Sequence, residues 1–279
     1  MLNYLKSAFK TTNENVIVAI PLLIFYIIIN LYLVFAKSMA DTPLEALIAL
    51  FTITFMVAVF LAGWFYMIKK AVDLSKKIFV LDDEAAKAHL GLIKEFPAGV
   101  GKYFLPFIGF FIIFIILVIL LSVFIFTLGI NVIGKIDFSP EQIYMLTSST
   151  KGLLNFVETM PTEQYILLAK WNFLLMGASF VFSYLLMFWI PEIIYTGRNP
   201  LVALFTGIGK LFKKPLKSLY LFVILTVINF VLSFVMTFTL MFPVLYFIMA
   251  TVYLYYIVYV LMLIFSYYDG EFEREDEEN

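Results

Sequence analysis

The sequence predicts an all-α fold, a polytopic transmembrane bundle of six helices with amphipathic interfacial helices on the cytoplasmic side. Three observations predict this fold: the composition, the long apolar stretches and the distribution of lysines. Of the 279 residues, 63% are hydrophobic and 14% are charged, whereas soluble domains are about 45–50% apolar and about 25% charged. The mean hydropathy is +1.00. A single soluble core cannot bury so much apolar surface, so a bilayer must cover part of it.

Six stretches are long and apolar enough to be spans, because a transmembrane helix needs about 20 mostly apolar residues. The first is longer than the core of a secretory signal, which has about 7–15 residues. The predicted spans are 16–37, 44–68, 103–128, 165–190, 217–241 and 244–267. We interpret residues 1–267 as a single membrane domain and 268–279 as an acidic cytoplasmic tail. In the loop after the third span, Ser139 is predicted to cap a short helix.

The lysines and arginines predict the orientation of the spans. Of the 19 Lys and Arg residues, fifteen lie in the N-terminal segment, in residues 69–102 and 191–217, and in the tail. Three lie in the intervening loops, and Lys170 lies inside the fourth span. Lys and Arg near span ends mark cytoplasmic loops. Both termini are therefore predicted to be cytoplasmic.

Three basic amphipathic segments precede the odd-numbered spans. The large apolar side chains of residues 201–212 recur at the three- and four-residue steps of a helix, with lysines beside that row. Residues 71–94 have the same pattern, although Asp82 or Asp83 could also begin a second helix there. A shorter stripe covers residues 2–9. We predict helices along the inner leaflet that contact anionic lipid. The predicted lipid contacts are Lys76, Lys77, Lys210, Lys213 and Lys214.

The order of these elements suggests three units, each made of an amphipathic segment, an outgoing helix and a returning helix. Residue identity between the units is slight. Two interpretations stay open at this point. The pattern is either a true threefold repeat or the ordinary occurrence of basic amphipathic loops in a polytopic protein.

Groups that support catalysis are scarce in the predicted spans. The chain has no cysteine and no HExxH motif, and its single histidine, His89, lies in a predicted cytoplasmic segment. Glu45 and Glu192 lie at span ends, so no buried carboxylate is expected inside a span. A hydrolase would lack its base and a metal site its ligands. The sequence therefore predicts no enzyme, no metal and no cofactor.

Polar side chains within the spans form a second set of candidates. They are either interhelical hydrogen-bonding groups, which contribute about 0.6 kcal/mol each, or the lining of a cavity in the outer half of the membrane. Lys170 is about 8 Å along the fourth span, where it either snorkels to the headgroups or faces inward to bind an anionic group. The candidate ligand or lipid contacts are Lys170, Asn30, Asn229, Tyr246, Tyr253 and Tyr256.

The segment FWIPEIIYTGRNPLVAL after the fourth span, together with the arrangement of the helices, carries a family resemblance. The matching residues are Leu5, Phe9, Pro191, Gly197 and Ala203-Leu204. The chain resembles a broad, uncharacterised group of prokaryotic six-helix membrane proteins related to the membrane domain of some glycerophosphodiester phosphodiesterases. This resemblance implies a prokaryotic cytoplasmic membrane. The soluble phosphodiesterase barrel is not part of this sequence, so its activity is not carried over.

The sequence favours a non-catalytic integral membrane protein that binds lipid or a partner membrane protein, as an accessory or scaffold. Its net charge of −1 gives no reason to expect nucleic acid. The alternative is a permease for a small or amphiphilic solute, with a polar mid-membrane cavity. A laterally open apolar groove would favour lipid binding, whereas a water-accessible cavity that extends past Asn229 would favour transport.

Overall fold

The computed structural model describes residues 1–39, 42–79, 82–136, 156 and 160–273. Their regular structure is helical, which confirms the predicted fold class. The helices are α1 (Leu2–Glu14), α2 (Ala19–Met39), α3 (Pro43–Leu74), α4 (Asp82–Gly91), α5 (Glu95–Val132), α6 (Thr162–Leu186), α7 (Trp189–Thr196), α8 (Pro200–Lys213), α9 (Pro215–Thr239) and α10 (Pro243–Tyr268). Short 3-10 turns precede α2 and α5, and a π-helical turn, Asp269–Glu273, follows α10. The predicted cap Ser139 lies outside the described residues.

Within the described residues, six helical segments are long and apolar enough to cross a membrane, so the chain is a multi-pass membrane protein. They correspond to the six predicted spans. Two of the helices that contain these spans are longer than the spans, since α3 has 32 residues and α5 has 38. At 1.5 Å per residue these helices are about 48 Å and about 57 Å long, against about 30 Å of hydrocarbon. Both helices therefore continue past the lysines at which the predicted spans stopped.

Local sequence explains where several of the spans begin. The Thr42 hydroxyl accepts a hydrogen bond from the Glu45 amide, and the Glu45 carboxylate accepts one from the Thr42 amide. This capping box satisfies two amide groups at the start of α3. Prolines open α8, α9 and α10 in the first turn, where a missing N–H costs nothing.

The predicted amphipathic segments are helical, with one correction. Residues 71–94 are not one helix, because α3 ends at Leu74 and α4 begins at Asp82. The alternative with a second helix from Asp82 or Asp83 agrees with this arrangement. The N-terminal segment forms α1, which packs along α10 and not on lipid alone. The rings of Tyr4 and Tyr267 lie 5.4 Å apart in an edge-to-face contact.

The chain divides into two compact units. Unit 2 covers residues 114–184, which include the second half of α5 and most of α6. There the indole N–H of Trp171 donates to the Gly134 carbonyl over 3.1 Å. The same indole lies against Gly129, where a Cβ atom would collide with the ring. Glycine therefore allows these two helices of unit 2 to approach closely.

Unit 1 covers residues 1–113 and 185–279, and its core lies at the lysine-rich ends of its helices. In α3, burial starts at Ala58 and continues to Leu74. The Phe65 ring stacks on Phe107 at 5.8 Å and on Phe265 at 6.0 Å. This aromatic layer joins α3, α5 and α10 near the helix ends that carry the lysines.

Three buried aromatic residues of this core donate hydrogen bonds to backbone carbonyls. Trp64 donates to Val18 over 2.8 Å. Trp189 donates to Pro200 and Tyr103 donates to Ile194, both over 2.7 Å. Each such bond contributes about 1 kcal/mol, and an unmade bond would cost about as much or more. These contacts fix α7 against α5 and α8.

Candidate functional site

An apolar cavity of about 490 Å³ lies among α2, α3 and the start of α5 in unit 1. We call it the apolar cavity. Every residue that lines it is apolar. Those that define its shape are Ile20, Ile24, Ile28, Phe55, Val59 and Phe96. The three isoleucines recur every fourth residue, so they lie on one face of α2.

The apolar cavity is open on the side of the helices. Ile24 is 51% exposed and Phe55 is 56% exposed, although both line the cavity. In a membrane protein, exposed apolar side chains of a spanning helix face lipid. The volume falls within the range of about 300–1,000 Å³ that is typical of ligand pockets. This cavity can therefore receive an apolar group that enters sideways from the bilayer.

A second cavity of about 580 Å³ lies between α3 and α5. It shares Phe55 and Val59 with the apolar cavity. Unlike that cavity, it has a charged residue in its lining, Lys102. The two cavities thus have one wall in common, and a lysine lies at the edge of the second.

A close crossing of α3 and α5 brings this lysine near others. A Cβ atom on Gly99 would lie 2.6 Å from Cβ of Tyr66 and 2.9 Å from the Ala62 carbonyl oxygen. A Cβ atom on Gly63 would lie 2.8 Å from the Phe96 ring. Small residues at such crossings let membrane helices approach closely. As a result the rings of Tyr66 and Tyr103 lie 5.6 Å apart.

Lys70 and Lys102 lie at these rings and Lys69 lies near both lysines. We call Lys69, Lys70 and Lys102 the open lysine cluster. The Lys70 and Lys102 ammonium groups lie 5.3 and 6.0 Å from the centre of the Tyr66 ring. The Lys69 ammonium lies 4.8 Å from the Tyr195 ring. In the described part of the chain none of the three lysines forms an ion pair.

A second lysine group has the opposite environment. We call Lys76, Lys210, Lys214 and Lys217 the covered lysine cluster. Lys76 pairs with Asp269 at 2.6 Å, and Lys210 pairs with Glu273 at 3.5 Å. Lys214 and Lys217 pair with Glu271 at 3.0 and 3.2 Å.

All three of these carboxylates belong to the π-helical turn after α10. The turn contains the first residues of the predicted acidic tail, and Asp269 and Glu271 in it are buried. This part of the predicted tail is therefore packed against the lysine-rich end of unit 1.

Glu192 of α7 is the residue that sequence reasoning missed. It is fully buried, and its carboxylate pairs with Lys210 at 3.0 Å and with Arg198 at 3.3 Å. The Tyr268 hydroxyl also donates to it. The sequence places Glu192 at a span end and does not predict its burial. Glu192 stands in the apolar run of α7, and an acid in such a run needs a buried cation, which is the signal that could have identified it.

The Tyr195 hydroxyl lies between the two clusters. It is buried and makes no hydrogen bond of good distance and angle with the residues that the structure describes, although the Asp269 carboxylate lies close by. Its ring faces Lys69 of the open cluster, whereas Asp269 pairs with Lys76 of the covered cluster. The open and covered clusters are thus neighbours within unit 1.

The polar candidate residues within the spans lie outside both lysine clusters. Tyr253 donates to the Asn229 side-chain oxygen over 3.0 Å, and Tyr256 donates to the Leu225 carbonyl over 2.8 Å. Both bonds join α9 to α10, as the interhelical interpretation requires. Asn30 donates to the Tyr26 carbonyl within its own helix. Tyr246 is 36% exposed.

None of these polar residues lines either cavity described above. Lys170 is exposed and belongs to unit 2, whereas the other candidates belong to unit 1. An anion site that joins it to them, and a permease cavity around Asn229, stay predictions.

The lysines predicted to contact lipid fall into two groups. Lys76, Lys210 and Lys214 pair with carboxylates, while Lys77 and Lys213 are exposed. Contact of any of the five with anionic lipid stays a prediction. The three lysines of the open cluster were not among the residues chosen from the sequence. In the described residues, no three His, Asp or Glu side chains are grouped to hold a metal ion.

No family model, curated protein or solved structure matches this chain. The resemblance to the membrane domain of glycerophosphodiester phosphodiesterases therefore stays a prediction. Several of its residues have a clear structural role. Gly197 ends α7 in the left-handed conformation, with φ of 65°, which glycine adopts without strain. Pro191, Ala203 and Leu204 are buried, and they belong to the contacting helices α7 and α8.

Proposed function

We propose that this protein is a non-catalytic lipid-binding membrane protein that holds one acyl chain in the apolar cavity. The observation that carries the proposal is the apolar cavity itself, with its purely apolar lining, its volume of about 490 Å³ and its sideways opening. A polar solute would lose its hydration there without a hydrogen bond in return. An acyl chain has no such cost, and it is already present in the surrounding bilayer.

The proposal includes an orientation, with both termini in the cytoplasm of a prokaryotic cell. The support is the excess of Lys and Arg on one side of the spans, which is typical of cytoplasmic loops. The apolar cavity then faces the inner leaflet, because it lies near the start of α2 and of α5. A cysteine introduced at Lys213, an exposed residue, should be labelled by an impermeant thiol reagent only in opened cells.

Apolar burial alone would make such binding weak. Lipid tails are as apolar as the leucine and isoleucine side chains of a membrane helix, so moving a chain from bilayer to cavity gains little. Shape and headgroup contacts must supply the selectivity. A specific lipid thus needs a polar contact near the mouth of the cavity.

Filling the apolar cavity tests the proposal. Ile28→Trp places a large ring in the cavity, and Ile27→Trp is its matched control on the same helix. Ile27 is 51% exposed and does not line the cavity. The protein is extracted in mild detergent, and native mass spectrometry counts the lipid molecules that remain bound. We expect Ile28→Trp to lose at least half of the retained lipid and Ile27→Trp to resemble the wild type. Equal retention in all three proteins would contradict the proposal.

A further inference from the structure

None of the lysines of the open lysine cluster forms an ion pair in the described part of the protein. Lys69 and Lys70 are half-buried, and Lys102 is exposed. Asp73 lies within electrostatic range of Lys69 and Lys70 but pairs with Lys76. Glu273 acts on Lys69 but pairs with Lys210, and Glu95 acts on Lys70 without forming an ion pair with it. Like charges that gather without partners repel each other, and half-burial removes part of the water that would screen them.

The aromatic rings beside these lysines orient the ammonium groups without neutralising them. Cation–π contacts with Tyr66, Tyr103 and Tyr195 position the three charges, but a ring has no net charge to offset them. In the covered lysine cluster, by contrast, carboxylates of the same chain neutralise the lysines. The open cluster therefore fits an anion that comes from outside the chain.

The location of the cluster indicates the kind of anion. Lys102 lines the second cavity, which shares Phe55 and Val59 with the apolar cavity. An anion at Lys102 is thus next to the wall along which an acyl chain would lie. Lysines at the end of a spanning helix are also at the depth of the headgroups, where anionic lipids attract them.

Resting on the proposed lipid-binding function, we infer that Lys69, Lys70 and Lys102 bind the phosphate of an anionic phospholipid whose acyl chain occupies the apolar cavity. The close crossing of α3 and α5 at Gly63 and Gly99 sets the distance between these lysines. The three charges favour an anionic over a zwitterionic headgroup. The cavity by itself accepts a chain from either class of lipid.

A competition between two lipids tests this inference. The full-length protein is reconstituted into vesicles of equal parts phosphatidylglycerol and phosphatidylcholine with the same acyl chains, and extracted in mild detergent. Native mass spectrometry then gives the ratio of the two retained lipids. We expect the wild type to be enriched in phosphatidylglycerol. Lys102→Gln should reduce the enrichment about fivefold, and the triple change of Lys69, Lys70 and Lys102 to Gln should abolish it.

The matched control removes three other positive charges. Lys6, Lys10 and Lys87 are exposed, lie outside the open cluster and are not among the predicted lipid contacts, so their joint change to Gln should alter the ratio less than twofold. If the triple variant fails to fold, Lys102→Gln alone decides, because this residue is exposed. A ratio near one in the wild type, or equal losses in the triple variant and its control, would overturn the inference.

The outcome separates this inference from the proposed function. Retained lipid without preference for charge would refute the headgroup site and leave the acyl-chain site standing. Loss of all retained lipid in the wild type, with no effect of Ile28→Trp, would refute both. Inorganic phosphate alone should not raise the unfolding temperature. A rise that depends on the three lysines would mean that the cluster takes free phosphate, and it would overturn the assignment to lipid.

Discussion

The open and the covered lysine clusters lie in the same unit, yet they have different partners. Lys76, Lys210 and Lys214 of the covered cluster each pair with a carboxylate of the turn after α10. The lysines of the open cluster have aromatic rings beside them and no ion pair in the described residues. The same residue type thus stabilises the fold in one cluster and is available to a ligand in the other.

This difference shows what a count of positive charges leaves out. Both clusters follow the positive-inside rule equally well, since that rule counts Lys and Arg near span ends. Only the position of the acidic turn separates them, because it neutralises one set. We therefore expect lysine changes in the covered cluster to lower stability and lysine changes in the open cluster to lower lipid preference.

The largest expected effect concerns the covered cluster. Lys210→Met removes the cation that pairs at 3.0 Å with Glu192, a fully buried residue. Breaking a buried pair costs about 3–5 kcal/mol. Since Arg198 remains, we expect a loss near the lower end, about 3 kcal/mol, in the free energy of unfolding in detergent. Lys213→Met, at an exposed site on the same helix, should change it by less than about 0.5 kcal/mol. Equal losses for both would contradict the structural role of Lys210.

The next effect concerns the crossing that builds the open cluster. Gly99→Ala places a Cβ atom 2.6 Å from Cβ of Tyr66, so α3 and α5 must separate. We expect a loss of about 1–3 kcal/mol in stability and a weaker preference for phosphatidylglycerol.

Gly101→Ala is the control for that change, since its Cβ atom would meet nothing within 4 Å. It should be neutral or slightly stabilising, because alanine favours helix over glycine by up to about 1 kcal/mol. An unchanged free energy of unfolding in Gly99→Ala would contradict a close crossing of α3 and α5 at this glycine.

A smaller effect is expected when lysines of the covered cluster lose their carboxylate partner. Glu271→Gln removes the carboxylate that pairs with Lys214 and Lys217. Lys217 is exposed, so we expect a modest loss of about 1 kcal/mol in stability and faster amide exchange in the turn. The freed lysines should increase the retained phosphatidylglycerol. Glu84→Gln, at an exposed acid on α4, should do neither, and unchanged lipid retention in Glu271→Gln would refute the idea that the turn shields these lysines.

The helices of this fold could be predicted because they depend on local composition. Each of the six spans follows from about 20 apolar residues in a row, and α4 follows from the acids at 82 and 83. Helix ends were less predictable. The second predicted span stops before the first lysines, whereas α3 continues through Lys69 and Lys70 to Leu74.

The candidate site could not be predicted because it depends on which helix faces meet. Lysine spacing does not reveal that Lys76 meets Asp269 across 193 residues. Nor does it reveal that α3 and α5 cross at Gly63 and Gly99. Glu192 illustrates the same limit, since its partner Lys210 lies on another helix.

The decisive measurement is a cryo-EM map of the protein in nanodiscs that contain phosphatidylglycerol. We expect density for an acyl chain along Ile20, Ile24 and Ile28, with its phosphate in hydrogen-bonding contact with Lys102 and beside Lys69 and Lys70. The covered cluster should have no lipid density, because the turn after α10 occupies it. An empty apolar cavity, or lipid phosphate on the covered cluster and none on the open one, would refute the proposed lipid site.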